Sequence, residues 1–214
     1  MTDDELLTKP AGVLINTTLV DFPGCVAATF FLKGCNLRCP YCYNWELVSA
    51  ESENQNNIQF VSCAAVLEHL YKRKNVIEGL VISGGEPLLN PVTPLLIEKA
   101  KSLGIKIKLD TNGTLPDALE SIVKNPETTP DFIAMDIKTS PEKYKEKINT
   151  AENLKDKDIE KLLERSVKII STLSDKNYEI RTVLVPHLVE KEDIKKIAEL
   201  LPENAAWRFA QFRN

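Results

Sequence analysis

The sequence predicts an α/β domain in which a parallel sheet curves into an open, incomplete barrel. Short apolar runs alternate with amphipathic segments along most of the chain, which is typical of parallel strands connected by helices. The alternation gives six strand–helix units, too few to close an eightfold barrel. The 214 residues suit one domain, and we expect that domain to extend over residues 1–214.

The order of the elements follows from the periodicity of the apolar residues. Alternation from Val13 to Val20 predicts a strand that forms a hairpin, over the turn Asp21–Gly24, with a buried strand Val26–Phe31. Later strands are expected at residues 79–82, 105–109, 132–135, 178–185 and 206–212, so that the barrel ends at Phe212. Helices are expected at residues 63–74, 92–103, 116–124, 159–173 and 191–201. The charged stretch 142–161 is expected to be a solvated surface insertion.

The charge balance narrows the classes of partner. The net charge is -4 and the pI is near 5.4, so we expect no general attraction to nucleic acid or to anionic lipid. Residues 1–8 are polar and acidic and do not resemble a secretory signal, and no apolar run approaches the ~20 residues that span a bilayer. We therefore expect a cytoplasmic protein whose five cysteines stay reduced.

Three of these cysteines, Cys35, Cys39 and Cys42, follow the strand 26–31 at a spacing that favours an iron–sulfur cluster. Three thiolates on a cubane leave one iron free to bind a small chelating molecule. A zinc ion, with His69 or His187 as a fourth ligand, is an alternative, although zinc sites usually present ligands in two blocks. A disulfide with one spare thiol is a further alternative. Cys25 and Cys63 stand apart and are expected to be buried, inert thiols.

Other polar motifs also follow predicted strands. Parallel strands carry their ligands at their carboxyl ends, so these motifs are expected to share one rim with the cysteines. Taken alone, each motif also fits an ordinary turn or a surface side chain. Arg181 stands inside an apolar strand, where an unpaired charge is costly, and is therefore expected to have a partner. The motifs after the strands are Gly84–Glu86, Asp110–Asn112 and Asp136–Lys138.

Several of these segments carry a family resemblance. Residues 19–24 (LVDFPG) and 31–42 (FLKGCNLRCPYC) resemble the radical S-adenosylmethionine superfamily, and within it the activating proteins of anaerobic ribonucleoside-triphosphate reductase. These proteins belong to the glycyl-radical-enzyme activating group, as does the activating enzyme of pyruvate formate-lyase. The resemblance covers about residues 13–212 and includes the segments 83–87 (SGGEP), 110–113 (DTNG), 135–138 (MDIK) and 180–186 (IRTVLVP). The family commonly has His-Asn after the third cysteine, where this chain has Tyr43-Asn44.

The resemblance implies a partial (β/α)6 TIM-like barrel and a role for each matched residue. The three cysteines would bind a [4Fe-4S] cluster, and no catalytic residue beyond the cofactor ligands is implied. Contacts to S-adenosylmethionine are implied for Gly84, Gly85 and Glu86 at its amino group, Tyr41 and Tyr43 near adenine, Asp110 and Lys138 at the ribose or carboxylate, and Arg181 at the carboxylate. A monovalent cation is implied beside Asp110, Thr111 and Asp136.

The resemblance also implies an activity. A reduced cluster cleaves S-adenosylmethionine to a 5′-deoxyadenosyl radical, which generates a glycyl radical on a partner, expected to be anaerobic ribonucleotide reductase. The electron would come from a donor such as flavodoxin or ferredoxin. Two alternatives stay open at this point: a radical enzyme that acts on a small molecule or RNA, and a non-enzymatic iron–sulfur or zinc protein.

Overall fold

The computed structural model describes residues 2–49, 59–148, 154, 157–174 and 177–213. Within these residues, eight strands form one sheet: β1 Pro10–Thr18, β2 Ala27–Leu32, β3 Val61–Ser62, β4 Gly79–Gly84, β5 Lys106–Thr111, β6 Phe132–Asp136, β7 Tyr178–Leu184 and β8 Trp207–Gln211. The order across the sheet is β3-β1-β2-β4-β5-β6-β7-β8. Strand β2 and strands β4 to β8 are mutually parallel, whereas β1 pairs antiparallel with β2 and with β3. The prediction of a single α/β domain with an open parallel sheet is confirmed.

Helices follow most of the strands. The α-helices in the described residues are α1 Asp3–Thr8, α2 Trp45–Ser49, α3 Cys63–Arg73, α4 Thr93–Ser102, α5 Pro116–Lys124, α6 Ile159–Ile170 and α7 Lys191–Glu199. Helix α3 begins where the Ser62 hydroxyl accepts from the Ala65 amide, as an N-cap does. Helices α1 and α2 and strand β3 are too short to give a periodic signal and were not predicted. Among the described helices, none combines the length and the apolarity that crossing a bilayer requires.

Strands β4, β5 and β6 run further than their apolar residues predict. Each continues into the polar motif that was expected to follow it, so that Gly84, Thr111 and Asp136 are the last residues of their strands. Gly84 pairs with Leu32 and Asp136 pairs with Arg181 in the parallel register. Backbone pairing does not require an apolar side chain, which is why the strand ends were misplaced. The polar motifs are therefore held on the sheet itself.

The core lies between the sheet and the helices. Strand β4 is buried at Gly79–Ile82, and β2 is buried at every position except Phe31, as expected for parallel strands covered on both faces. Cys63 is fully buried at the start of α3, and this burial raises its pKa to about 12, which fits the prediction of an inert thiol. Cys25 is partly exposed.

The prediction that residues 142–161 form a solvated insertion is only partly correct: charged residues such as Lys145, Glu146 and Lys147 are exposed, whereas Tyr144 and Ile148 are buried. A 3₁₀ turn, Pro141–Lys143, and a π-helical turn, Tyr144–Ile148, place Tyr144 and Ile148 in the core. The Tyr144 hydroxyl accepts from the Lys138 amide at 2.8 Å. Tyr144 and Ile148 have charged neighbours in the sequence, so the sequence pattern does not indicate that these two residues are buried. Residues 149–153 and 155–156 lie outside the described residues.

Candidate active site

The cysteine loop, residues 35–44, and the carboxyl ends of β4, β5 and β6 enclose a cavity of about 200 Å³. Most of the residues that the sequence singled out line this cavity. Two of them, Glu86 and Arg181, do not. The predicted residues that line it are Cys35, Cys39, Tyr41, Cys42, Tyr43, Gly84, Gly85, Asp110, Thr111, Asp136 and Lys138.

The three cysteines of the loop are free thiols and are partly buried. The Cys42 amide donates to the Cys39 carbonyl at 3.1 Å, which closes a tight turn between these two residues. Burial raises the pKa of Cys35 to about 11, although the Leu37 amide donates to its sulfur at 3.4 Å. Burial also raises the pKa of Cys39, against the favourable charge of Lys138. Without a metal the Cys35 and Cys39 thiols stay protonated at neutral pH, and bound iron would favour their thiolate forms.

A buried amide network fixes the Cys35 end of the loop. The Asn36 side-chain amide donates to the Thr114 hydroxyl at 2.7 Å, and the Asn112 amide donates to the Asn36 side-chain oxygen at 2.9 Å. The Thr114 hydroxyl donates to the Asn112 oxygen at 2.6 Å, which completes a ring of three side chains. The Asn112 amide nitrogen is also 3.9 Å from the Cys35 sulfur. No sequence pattern predicts a role for Asn36 or Thr114, because the two residues are 78 positions apart.

The glycine pair is required by contact between two backbone segments. A Cβ on Gly85 would lie 1.8 Å from the Gly34 carbonyl oxygen, and Gly84 has a φ of +113°. The Gly85 amide donates to the Leu32 carbonyl, and the Asn44 side chain donates to the Gly84 carbonyl at 3.2 Å. We expected glycines at these positions because a ligand would approach the backbone closely. The group that approaches Gly85 is instead the backbone of Gly34, the residue just before Cys35. The glycines therefore set the position of the cysteine loop.

Glu86 lies behind the cavity wall and is fully buried. Its carboxylate accepts from the Asn112 amide at 2.7 Å, the Thr111 hydroxyl at 2.9 Å and the Leu88 amide at 3.1 Å. Its backbone amide donates to the Gly34 carbonyl at 2.8 Å. Burial raises the pKa of Glu86 to about 7, although the three donors favour its charged form. Glu86 thus ties the β4 turn to the end of β5.

Charged side chains from neighbouring strands pair below the cavity. Asp136 accepts from the Lys138 ammonium at 2.8 Å and from Arg181 Nε at 2.7 Å. Burial opposes ionisation of Asp136, but the two cations outweigh it and hold its pKa well below the usual range. Burial likewise disfavours the Lys138 ammonium, and Asp136 reverses this by raising the pKa of Lys138. Lys138 is therefore a fixed positive charge on the cavity wall.

Arg181 lies beneath this wall and lines a second cavity, of about 140 Å³, inside the curved sheet. Burial disfavours its charge, but Asp136 and Asp110 keep its pKa above the usual range. Asp110 accepts from Ser83 at 3.0 Å and from the buried Lys108. The carboxylates expected to bind a monovalent cation are thus already neutralised by cations of the protein.

The three thiols of the loop line one cavity, as the ligands of a shared cluster would. In the residues that the structure describes, no three His, Cys, Asp or Glu side chains converge as ligands of one metal ion. A cubane takes each thiolate on a different iron, so its sulfur ligands need not meet at one point. The Tyr41 hydroxyl is buried beside the cavity and has no hydrogen-bond partner in the described residues. The cavity thus offers three thiols, the Lys138 ammonium and the Tyr41 hydroxyl. These groups suit an iron–sulfur cluster together with a polar ligand.

A family comparison agrees with this geometry. The model of the Radical SAM superfamily matches residues 29–201, which contain the cysteines and all the polar motifs of the cavity. The chain belongs to the radical S-adenosylmethionine superfamily, and within it to the family of glycyl-radical-enzyme activating enzymes. The superfamily implies a [4Fe-4S] cluster and S-adenosylmethionine as cofactors.

Two relatives carry the narrower assignment. A Methanocaldococcus jannaschii protein named for the activation of glycyl-radical enzymes is 32% identical over 93% of this chain and 78% of its own length. The pyruvate formate-lyase-activating enzyme of Clostridium pasteurianum is 30% identical over 86% of this chain and 72% of its own length. The prediction of an enzyme of this group is thereby confirmed.

Solved structures show the same fold. TYW1 with a bound lysine-pyruvate adduct superposes with a TM-score of 0.62, at 15% identity, over 88% of this chain. The structure of anSMEcpe with bound S-adenosylmethionine gives 0.57, at 23% identity, over 84% of this chain. The chain spans 65% of the first structure and 49% of the second.

Proposed function

We propose that this chain generates a glycyl radical on a partner enzyme. The observation that carries the proposal is that Cys35, Cys39 and Cys42 share one cavity with the polar ends of β4, β5 and β6. Cys35, Cys39 and Cys42 would hold a cluster that, once reduced, would supply one electron to the sulfonium of S-adenosylmethionine, so that its carbon–sulfur bond would break to give methionine and a 5′-deoxyadenosyl radical. A glycine of the partner loses an α-hydrogen atom to that radical, which leaves a glycyl radical and 5′-deoxyadenosine.

In this proposal the cysteine loop holds the cluster, and the glycine turn holds the amino group of S-adenosylmethionine. An amino group donates hydrogen bonds, so the carbonyl oxygens of Gly84 and Gly85 would accept from it, although the Gly84 carbonyl also accepts from Asn44. Glu86 acts from behind the wall by holding this turn against β5. Tyr41 and Tyr43 lie on either side of Cys42, where the proposal puts the adenine.

The ribose and the carboxylate of S-adenosylmethionine would lie at the charged wall. Asp110 and Thr111 offer oxygen atoms to the ribose hydroxyls, and the Lys138 ammonium faces the carboxylate. Arg181 acts through Asp136, to which its Nε donates, rather than by lining the cavity. A monovalent cation at this place would have to displace Lys108 or Lys138 from its carboxylate.

The proposed partner is a glycyl radical enzyme, and the LVDFPG and FLKGCNLRCPYC segments favour the anaerobic ribonucleotide reductase. The relative from Clostridium pasteurianum is named for the activation of pyruvate formate-lyase. Pyruvate formate-lyase is therefore the second partner to test beside the reductase. We propose flavodoxin or ferredoxin as the electron donor. The free thiols fit a reducing compartment, and we therefore propose the cytoplasm as the location.

The cofactor chemistry is tested by anaerobic reconstitution of iron and sulfide, followed by reduction and addition of S-adenosylmethionine. We expect 5′-deoxyadenosine and methionine in equal amounts. Cys39→Ala is expected to abolish both products, whereas Cys25→Ala, outside the cavity, is the matched control and retains them. A wild-type protein that binds zinc and forms no 5′-deoxyadenosine would contradict the proposal.

The partner is tested by electron spin resonance of mixtures with anaerobic ribonucleotide reductase or with pyruvate formate-lyase. We expect a glycyl radical signal with the reductase and little with the lyase. A signal only with the lyase would replace the proposed partner. Cleavage that converts a small molecule or RNA, without a signal on either protein, would refute the activase assignment.

A further inference from the structure

The last described residues of the chain return to the cysteine loop. The Tyr43 hydroxyl donates to the Arg213 carbonyl at 2.6 Å and accepts from the Arg213 amide at 3.1 Å. The Phe212 ring contacts the ring of Tyr41, at a centroid distance of 6.2 Å and an angle of 80°, and the ring of Tyr43, at 6.0 Å and 31°. We call Tyr41, Tyr43, Phe212 and Arg213 the C-terminal clasp.

The clasp connects two parts of the sheet that are not neighbours. Strand β8, which ends at Gln211, is the last strand of the open sheet, while the cysteine loop follows β2. Phe212 and Arg213 bridge from the end of β8 to the residues on either side of Cys42. The mouth of the cavity is therefore bordered by a contact between residues 170 positions apart.

The Cys42 end of the loop is also held by the start of α2, where the Asn44 carbonyl accepts from the Leu47 and Val48 amides. The Cys42 amide bonds to Cys39, which belongs to the same loop, and Asn44 bonds to the Gly84 carbonyl. Tyr43 is 69% exposed, so no packed core holds its ring in place. The buried network of Asn36 acts at the opposite end of the loop.

We infer that Tyr43 and Phe212 are positioning residues that hold Cys42 at the cavity, an inference that rests on the proposed function. The Tyr43 hydroxyl makes two hydrogen bonds with the Arg213 backbone, and the Phe212 ring contacts the rings of both Tyr41 and Tyr43. Neither residue has to touch the cluster for this role. Without the clasp, the Cys42 end of the loop opens more often while the remaining fold stays intact.

The first test uses iron-free protein and amide hydrogen exchange. Tyr43→Phe removes the two hydrogen bonds and keeps the ring, and we expect the Cys42 amide to exchange about three- to tenfold faster. Phe212→Ala should act in the same direction, and Phe212→Tyr should restore most of the protection. Amides of the β4 core such as Ile82 should not change. Phe209→Ala is the matched control, because Phe209 is an exposed ring on β8 that packs on Trp207.

The second test uses the reconstituted protein and release of iron to a chelator without oxygen. We expect Tyr43→Phe and Phe212→Ala to release iron about three- to tenfold faster than wild type and Phe209→Ala. Unchanged exchange at Cys42 and unchanged iron release in both clasp variants would overturn the inference. If wild type forms no cluster, the proposed function fails, while the exchange test still decides whether the clasp holds Cys42.

Discussion

The two ends of the cysteine loop are held in different ways. At the Cys35 end, Asn36 joins a closed ring of buried side-chain hydrogen bonds with Asn112 and Thr114. At the Cys42 end, Tyr43 is largely exposed, and its hydroxyl bonds to backbone groups of Arg213. The first anchor comes from the middle of the chain and lies in the protein interior. The second comes from the far end of the chain and lies in solvent.

The difference has an energetic meaning. A buried polar group that loses its partner costs about 1–3 kcal/mol, because water cannot replace the lost bond. An exposed hydrogen bond contributes less, since water competes for both groups. We therefore expect the Cys35 end to be coupled to global folding and the Cys42 end to open locally. The Cys35 end of the loop is thus a permanent anchor, which stays in place until the protein unfolds, and the Cys42 end is a yielding anchor, which can open while the rest of the protein stays folded.

The largest expected effect comes from breaking the buried ring. Asn36→Ala removes one hydrogen-bond partner of the Asn112 side-chain amide and one of the Thr114 hydroxyl, both of which are buried. We expect the free energy of unfolding of iron-free protein to fall by about 4 kcal/mol, measured by urea denaturation. Asn75→Ala, at an exposed site, is the control and should change it by less than about 0.5 kcal/mol. Equal effects of the two variants would contradict the assigned role of the ring.

The next effect is a pH dependence at the same end of the loop. The Glu86 carboxylate accepts from the backbone amide of Asn112, and burial raises the pKa of Glu86 from 4.5 to about 7. A raised carboxyl pKa means that the folded protein binds the proton more tightly than the unfolded chain. The stability linked to this proton is fully present below pH 4.5 and is lost as the pH rises to about 7.

This loss is on the order of 3 kcal/mol for a shift of this size. We expect the stability of wild type, relative to Glu86→Gln, to fall by that amount between pH 4.5 and 7 and to stay level above pH 7. Glu203→Gln, at an exposed site, should show no such trend. Parallel pH profiles for wild type and Glu86→Gln would show that Glu86 does not titrate in this range.

The sequence predicted the framework of this site because the framework is local. Short runs of four to eight residues predict the strands, and the cysteine spacing lies within eight residues. The ends of β4 and β5 were misplaced because strand pairing continues to Gly84 in β4 and to Thr111 in β5. The rim on which the motifs meet follows from parallel topology, which alternation of strands and helices already implies.

The anchors of the loop could not be predicted in the same way. Asn36 and Thr114 have no distinctive pattern in sequence, and only the tertiary fold brings them into contact. The pairing of Tyr43 with Arg213 likewise depends on the curvature of the sheet. Lys108 was not singled out either, because a lysine in a strand is usually exposed, whereas here it is buried beside Asp110.

A smaller effect, of opposite sign, tests the Cys42 end. The Tyr41 hydroxyl is buried and has no hydrogen-bond partner among the residues that the structure describes, so Tyr41→Phe should stabilise iron-free protein by about 1 kcal/mol. Tyr144→Phe is the matched control, because that buried hydroxyl accepts from the Lys138 amide and its loss should destabilise the protein. Urea denaturation of both variants gives the two signs. A destabilising Tyr41→Phe would mean that the hydroxyl has a partner in the folded protein.

The smallest effect on global stability should come from the clasp itself. Tyr43→Phe removes hydrogen bonds that are exposed to water, so we expect the free energy of unfolding to change by less than about 0.5 kcal/mol. The same variant should still accelerate exchange at Cys42, because opening of the loop end does not require unfolding of the sheet. A loss of stability as large as that of Asn36→Ala would mean that both ends of the loop are part of the cooperative core. The distinction between a permanent and a yielding anchor would then be wrong.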